Sequence, residues 1–176
     1  PTNPKSYYGI TKLAAENYVT VFSKHLDTTV LRMYNVYGTG QNMDNIKQGM
    51  VSIYLYYFMK GKPILVKGSG DRFRDFIYID DVVSAWIKAI DEPKTYGKKY
   101  NLGSGDRTTI EGLLKVISEK WGNPDYPIEY VEGTPGDAHG SQADIEETKA
   151  DLDWKPEMGI EEGIKKTVDW VKNLSK

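Results

Sequence analysis

The chain has 176 residues, 39% hydrophobic and 27% charged, with 13 Tyr, 4 Phe and 4 Trp, enough apolar and aromatic mass to build a globular core and too much for a disordered chain. Lys and Arg number 23 against 25 Asp and Glu, a net charge of −2, which argues against a nucleic-acid module with its basic excess. There is no cysteine, which removes disulfide scaffolds, thiolate zinc sites, iron–sulfur clusters and cysteine nucleophiles.

At about 150 residues per domain the length fits one domain or one and a half. No apolar run approaches the ~18 residues of a membrane span, and the opening Pro-Thr-Asn-Pro does not read as a signal peptide. A cytoplasmic protein acting on small molecules is the default expectation.

In chain order, a helix is predicted from about Lys5 to His25, because Ile10, Leu13, Ala14, Tyr18, Val21 and Phe22 recur at helical spacing. Thr28 to Asn35 reads as a buried strand, and Val36 to Gln48 as a loop. A helix over Met50–Lys60, a short strand over Pro63–Lys67, a Gly-Ser-Gly turn and a strand over Phe76–Ile79 follow. Asp80 reads as the N-cap of a helix reaching about Ile90. Lys99–Leu102 is a strand ending in Gly-Ser-Gly, and Thr108 with Glu111 fits a capping box for a helix to Trp121. Ile128–Val131 is the last strand, and Ile145–Leu152 and Ile160–Leu174 are the last helices. Alternating helices and strands predict an α/β fold. A helix that comes first needs a sheet to pack on, which places the opening strands before Pro1.

Tyr8-Gly-Ile-Thr-Lys12 sets a phenol and an ammonium four residues apart, on one helix face. Lowering a tyrosine pKa from about 10 to about 7 takes about 4 kcal/mol, which a close cation in a partly dry site could supply. The product is a Tyr general base near neutral pH. A solvated helix face gives the same pair, and Tyr56–Lys60 repeats the spacing. Arg72 and Arg74 share one side of a strand and could hold a diphosphate; a surface pair bridged to Asp71 or Asp75 is the alternative.

Asp80 and Asp81 read as helix cap and dipole partner rather than metal ligands, and Asp151 and Asp153 as solvated. His25 and His139 lack a second ligand at metal spacing, so no metal site is expected. Tyr54 to Phe58 reads as core. The Gly-x-Gly runs at Gly38, Gly68 and Gly103 lack the third glycine of a dinucleotide turn, and no phosphate-binding P-loop is present.

Taken together, the segments resemble the extended short-chain dehydrogenase/reductase family of NAD-dependent epimerases and dehydratases, in the branch of UDP-glucose 4-epimerase and its nucleotide-sugar relatives. Ser6 to Glu16 is similar to the family's active-site helix, and Leu31 to Gly38 to the strand after it. Gly70 to Val83 is similar to its substrate-phosphate strand and next helix, and Tyr100 to Gly105 to its last parallel strand. Pro135 to Asp137, Ala143-Asp144 and Leu152 to Pro156 are similar to its C-terminal substrate lobe.

The resemblance implies an incomplete Rossmann-type parallel sheet, made of its last strands and helices, plus a small α/β substrate-binding lobe. Residues 1–37 and 77–103 would form the back part of the NAD-binding domain, and 38–76 and 104–176 the nucleotide-sugar lobe. The glycine-rich half, on the order of 100 residues, would precede Pro1, leaving the chain by itself inactive.

The implied site is specific. Tyr8 would be the catalytic base and Lys12 the lysine that lowers its pKa and bonds the nicotinamide ribose, with Met33 touching the nicotinamide end. Asn35 and Arg74 would hold the sugar-nucleotide diphosphate, Val66 and Lys67 would lie against uracil, and Asp137 would bond the uridine ribose. Ser141 would line the sugar pocket, where a small residue goes with tolerance of N-acetylated sugars. Thr134 departs from the family pattern, which often has a second diphosphate arginine there.

The implied reaction is 4-epimerisation of a UDP-sugar through a 4-keto intermediate, with NAD as the redox cofactor. A nucleotide-sugar 4,6-dehydratase, or a non-catalytic module that binds nucleotide sugar or self-associates, are the rivals. Family dimers pair through the active-site helix, and an uncovered apolar face predicts a homo-oligomer, here a non-native one.

Overall fold

The computed structural model describes residues 2–4, 6–47, 49–133 and 138–174. Helix α1 (Tyr7–Phe22) starts at Ser6, whose hydroxyl accepts the Gly9 N–H at 3.1 Å, and it is shorter than its predicted span at both ends. After Phe22 the chain passes into turns, where the Phe22 carbonyl is shared between the His25 N–H at 2.8 Å and the Leu26 N–H at 3.0 Å.

The strand expected over Thr28–Asn35 is two strands. β1 (Val30–Met33) pairs in parallel with β6 (Lys99–Leu102), whereas β2 (Asn35–Tyr37) pairs in parallel with β5 (Phe76–Tyr78). Tyr34 is the changeover: its N–H donates to Leu102 at 2.9 Å, and the next N–H, that of Asn35, donates to Asp75 at 3.1 Å. Hydrophobic patterning runs straight through this point because it reports burial, not the identity of the neighbouring strand.

Helix α2 (Met50–Lys60) ends at Gly61 in the left-handed conformation and leads into β3 (Ile64–Lys67), which pairs in parallel with β8 (Ile128–Val131). The two-residue strand β4 (Phe73–Arg74) runs antiparallel to β7 (Thr108–Thr109). Helices α3 (Ile79–Ile90), α4 (Ile110–Trp121), α5 (Glu146–Leu152) and α6 (Ile160–Leu174) complete the α/β fold, with a turn of 3-10 helix over Pro93–Thr95. No helix among the described residues is long and apolar enough to cross a membrane.

Two helix starts differ from expectation. Tyr78, not Asp80, is the N-cap of α3: it is the last residue with extended backbone, so Asp80 already lies in the first turn. Thr109, not Thr108, caps α4, accepting the Gly112 N–H at 3.0 Å, because it is the residue with extended backbone immediately before the helix starts at Ile110.

The main core joins α2, α4 and α6 to β2, β3 and β5, with Leu55, Ile64, Ile110, Leu114, Ile164 and Val168 fully buried. Gly163 lets α6 close onto this core, since a Cβ there would come within 2.2 Å of the Tyr37 hydroxyl. A second cluster packs Trp154 and Leu152 against Val82 and Ala85 of α3. The Trp154 indole donates to the Asp81 carbonyl at 3.2 Å, and the Asp81 carboxylate accepts the N–H groups of Glu157 and Met158, both at 3.0 Å. Asp81 thus ties α3 to the chain entering α6, beyond its expected place at the helix dipole. Asp151, expected to be solvated, is partly exposed but paired: it accepts from Lys98 and from the Tyr100 hydroxyl, each at 2.7 Å.

Candidate functional site

Helix α1 carries the phenol–ammonium pair, and the Lys12 Nζ lies 5.4 Å from the Tyr8 ring centre. Tyr56 and Lys60 on α2 reproduce this geometry at 5.5 Å, so the pair alone identifies nothing. Location separates them. Tyr8 and Lys12 face a cleft of about 630 Å³ between α1 and β1, which Met33 also lines, whereas Tyr56 sits half-buried on α2. Met33 lies at the C-terminal end of β1, the end of a parallel strand at which α/β proteins place ligands. Tyr8 is 68% exposed, so among the described residues its phenol stands open to water.

The helix is fixed to the sheet by charge. The Glu16 carboxylate, one turn beyond Lys12, takes two hydrogen bonds from the Arg32 guanidinium, both at 2.7 Å, and an ion pair from Lys99 at 3.1 Å. Arg32 and Lys99 hold the Glu16 carboxyl at about 2, well below the usual glutamate range.

The predicted diphosphate residues gather around Asp75. This residue is wholly buried between Arg74 and β5. Its backbone carbonyl accepts the Asn35 N–H at 3.1 Å and the Asn35 side-chain amide at 2.8 Å. Its carboxylate accepts Ser104 N–H and hydroxyl at 2.6 and 2.8 Å, and the N–H groups of Gly105 and Ala143 at 3.0 Å each. Gly103 has room for no side chain: a Cβ would lie 2.6 Å from Asp75 Oδ2 and 2.5 Å from the Ala143 methyl.

The segment from His139 to Ser141 runs along β4. Phe73 donates to the His139 carbonyl at 3.1 Å, and Ser141 donates to the Phe73 carbonyl at 3.3 Å. Arg74 is almost buried beneath it and donates to the carbonyls of Phe73 and His139 at 2.8 and 3.3 Å. Burial, with the Asp75 carboxylate nearby, pushes the Tyr34 phenol above its ordinary value.

The rest of the expected set is more scattered. Val66 points into the main core, so its side chain packs rather than faces a ligand, while Lys67 next to it is exposed. Arg72 does not sit beside Arg74 in a fork; it folds back to donate to the carbonyls of Lys67 and Ser69. Asp137 and Thr134 lie outside the described residues. The structure therefore brings Tyr8, Lys12 and Met33 to one cleft, and Asn35, Arg74 and Ser141 to one hydrogen-bonded cluster.

Residues 1–103 match the NAD dependent epimerase/dehydratase family. The chain belongs to that family. A UDP-glucose 4-epimerase of Mycolicibacterium smegmatis is 33% identical over 99% of this chain and 56% of its own length. The crystal structure of UDP-glucose 4-epimerase from Thermotoga maritima with UDP-glucose superposes with a TM-score of 0.92 at 34% identity, over 99% of this chain and 56% of that one. The UDP-glucuronic acid 4-epimerase of Bacillus cereus, solved with UDP-glucuronic acid and NAD, gives 0.89 at 26% identity, over 98% of this chain and 54% of that one. The chain spans about half the length of the curated relatives it matches.

Within an epimerase/dehydratase, two groups that sequence reasoning passed over become visible. Glu16 falls at the i+4 position after Lys12, a helical signal that was available. Asp75 carried no such signal: its partners at 35, 104, 105 and 143 are brought to it only by the fold.

Proposed function

We propose that this chain forms the proton-transfer helix and the nucleotide-sugar-binding lobe of a NAD-dependent UDP-sugar 4-epimerase. The observation that carries the reading is the Tyr8–Lys12 pair opening on the same cleft as Met33, at the end of a parallel strand. Residues 1–37 and 77–103 then belong to the cofactor domain, and 38–76 and 104–176 to the sugar-nucleotide lobe. Tyr8, as phenolate, takes the proton from the sugar 4-hydroxyl and later gives it back. Lys12 stabilises the phenolate by its charge. Asn35 and Arg74 orient the diphosphate, and Ser141 lines the sugar pocket with a side chain small enough for an N-acetyl group.

The residues present fit NAD at its nicotinamide end: an ammonium, a phenol and the exposed edge of Met33 border an open cleft on α1 and β1. When bound, NAD supplies the hydride acceptor and donor. The described residues leave Tyr8 exposed in this cleft, so the 176-residue chain by itself is expected to show no turnover.

Calorimetric titration with UDP-glucose, UDP-N-acetylglucosamine and NAD tests the reading. Binding of a UDP-sugar is expected; a chain that binds none of the three has no such site. In an active form containing this chain, Tyr8→Phe should cut turnover by about 10²–10⁴-fold with UDP-sugar binding kept. Full activity in that variant removes Tyr8 as the base.

A further inference from the structure

We propose that Asp75 is a positioning residue that sets Asn35 and Arg74 for a nucleoside diphosphate, an inference that rests on the nucleotide-sugar reading of the same site. A carboxylate offers about four lone-pair directions, and all four are filled: two by Ser104, one by Gly105 and one by Ala143. No cation takes part in these four bonds, so the carboxylate gathers chain rather than neutralising charge. It joins three stretches far apart in sequence: the start of β5, the turn after β6 and the segment leading into α5.

The backbone of the same residue does the rest. Its carbonyl accepts both the main-chain N–H and the side-chain amide of Asn35, which fixes that amide's rotamer. Ala143, held by Oδ2, is two residues beyond Ser141, whose N–H is bonded to β4, and four beyond His139, whose carbonyl accepts from Arg74. Moving the carboxylate therefore moves the segment that covers Arg74 on one side and the carbonyl that holds Asn35 on the other. Both residues assigned to the diphosphate take their placement from one buried residue, Asn35 through its backbone carbonyl and Arg74 through the segment its carboxylate holds, and that residue need not touch the ligand.

Asp75→Asn is nearly isosteric but replaces one acceptor oxygen by an amide that faces N–H donors. Nuclear magnetic resonance of the full 176-residue chain, with and without UDP, reads the effect. The amides of Ser104, Gly105 and Ala143 should lose exchange protection in this variant. The main-chain and side-chain amide signals of Asn35 should shift with them, although their acceptor, the Asp75 carbonyl, is unaltered. Core amides of α4 and α6 should keep their protection, and the Kd for UDP should rise at least tenfold.

Ser104→Ala, which removes a single donor, should give the same pattern with a two- to fivefold rise, and it decides the matter if Asp75→Asn does not fold. Unmoved Asn35 signals, or unchanged UDP affinity in a folded variant, would reduce Asp75 to a staple of its own loop and overturn the proposal. A wild-type chain that fails to bind UDP overturns the nucleotide-sugar reading instead, and the Asn35 signals then judge the positioning on their own.

Discussion

Helix α1 and the α4–α6 pair are held by different forces. Helices α4 and α6 bury Ile110, Leu114, Ile164 and Val168 in a continuous apolar core. Helix α1 buries no residue at all, and Ile10, Tyr18, Val21 and Phe22 of its predicted apolar stripe stand exposed. What seats it is the Glu16 carboxylate between Arg32 and Lys99. The contrast separates two demands. A core needs only water exclusion, which is non-directional. A helix presenting Tyr8 and Lys12 to a cleft needs a definite rotation, and a bidentate guanidinium–carboxylate pair fixes direction as well as contact.

The sharpest way to break the contrast is to empty the core. Ile164→Ala should destabilise the chain by about 2–5 kcal/mol, read as a lower midpoint in urea for α1 and the core alike. Independent melting of the two regions would show that they do not form one cooperative unit.

Next comes Glu16→Gln, expected to cost about 1–3 kcal/mol, confined to α1. Hydrogen exchange should speed up over residues 7–22 and stay slow in α4. The same bond predicts an acid response. Because folding lowers the Glu16 pKa from 4.5 to about 2, its contribution is complete above about 4.5 and fades as pH falls toward about 2. Helix α1 should therefore loosen in that window, and Glu16→Gln should abolish the pH dependence. An α1 that frays equally at neutral and low pH would remove the ion pair as its anchor.

The smallest effect on stability is expected on the outer face of α1. Val21→Lys should change the unfolding free energy by no more than about 0.5 kcal/mol, because the position is solvent-exposed. It should, however, weaken the self-association expected of an exposed apolar stripe. Light scattering over a range of concentrations reads this directly; a wild-type chain that is monomeric throughout counts against association by this face.

Much of this architecture could be read in advance because it is local. The spans of α2, β8 and α6 follow from periodicity, and the cleft pair from an i, i+4 spacing. Failures came where distant chain decides. Tyr34 hands the chain from one strand partner to another, and nothing in the run Val30–Tyr37 marks the handover. Both Thr108 and Thr109 pair with the distant β4, which carries extended backbone up to Thr109 and so starts α4, and its cap, one residue later than the spacing suggests. Arg72 and Arg74 share a strand face on paper, yet one folds back over residues 67–69 and the other is covered by the His139 carbonyl. The near-identical geometry of Tyr8–Lys12 and Tyr56–Lys60 makes the general case: spacing supplies the pair, and only the fold supplies the cleft.

The bare Cα of Gly103, pressed between Asp75 and the Ala143 methyl, bears on how such a sequence can drift. An alanine at 103 would push the carboxylate off its donors, and a larger residue at 143 would crowd the same gap. Added bulk at 103 or 143 is thus closed off one position at a time, and room for it at either position requires a smaller group at its neighbour, whereas the exposed Asp106 carries no such constraint of space.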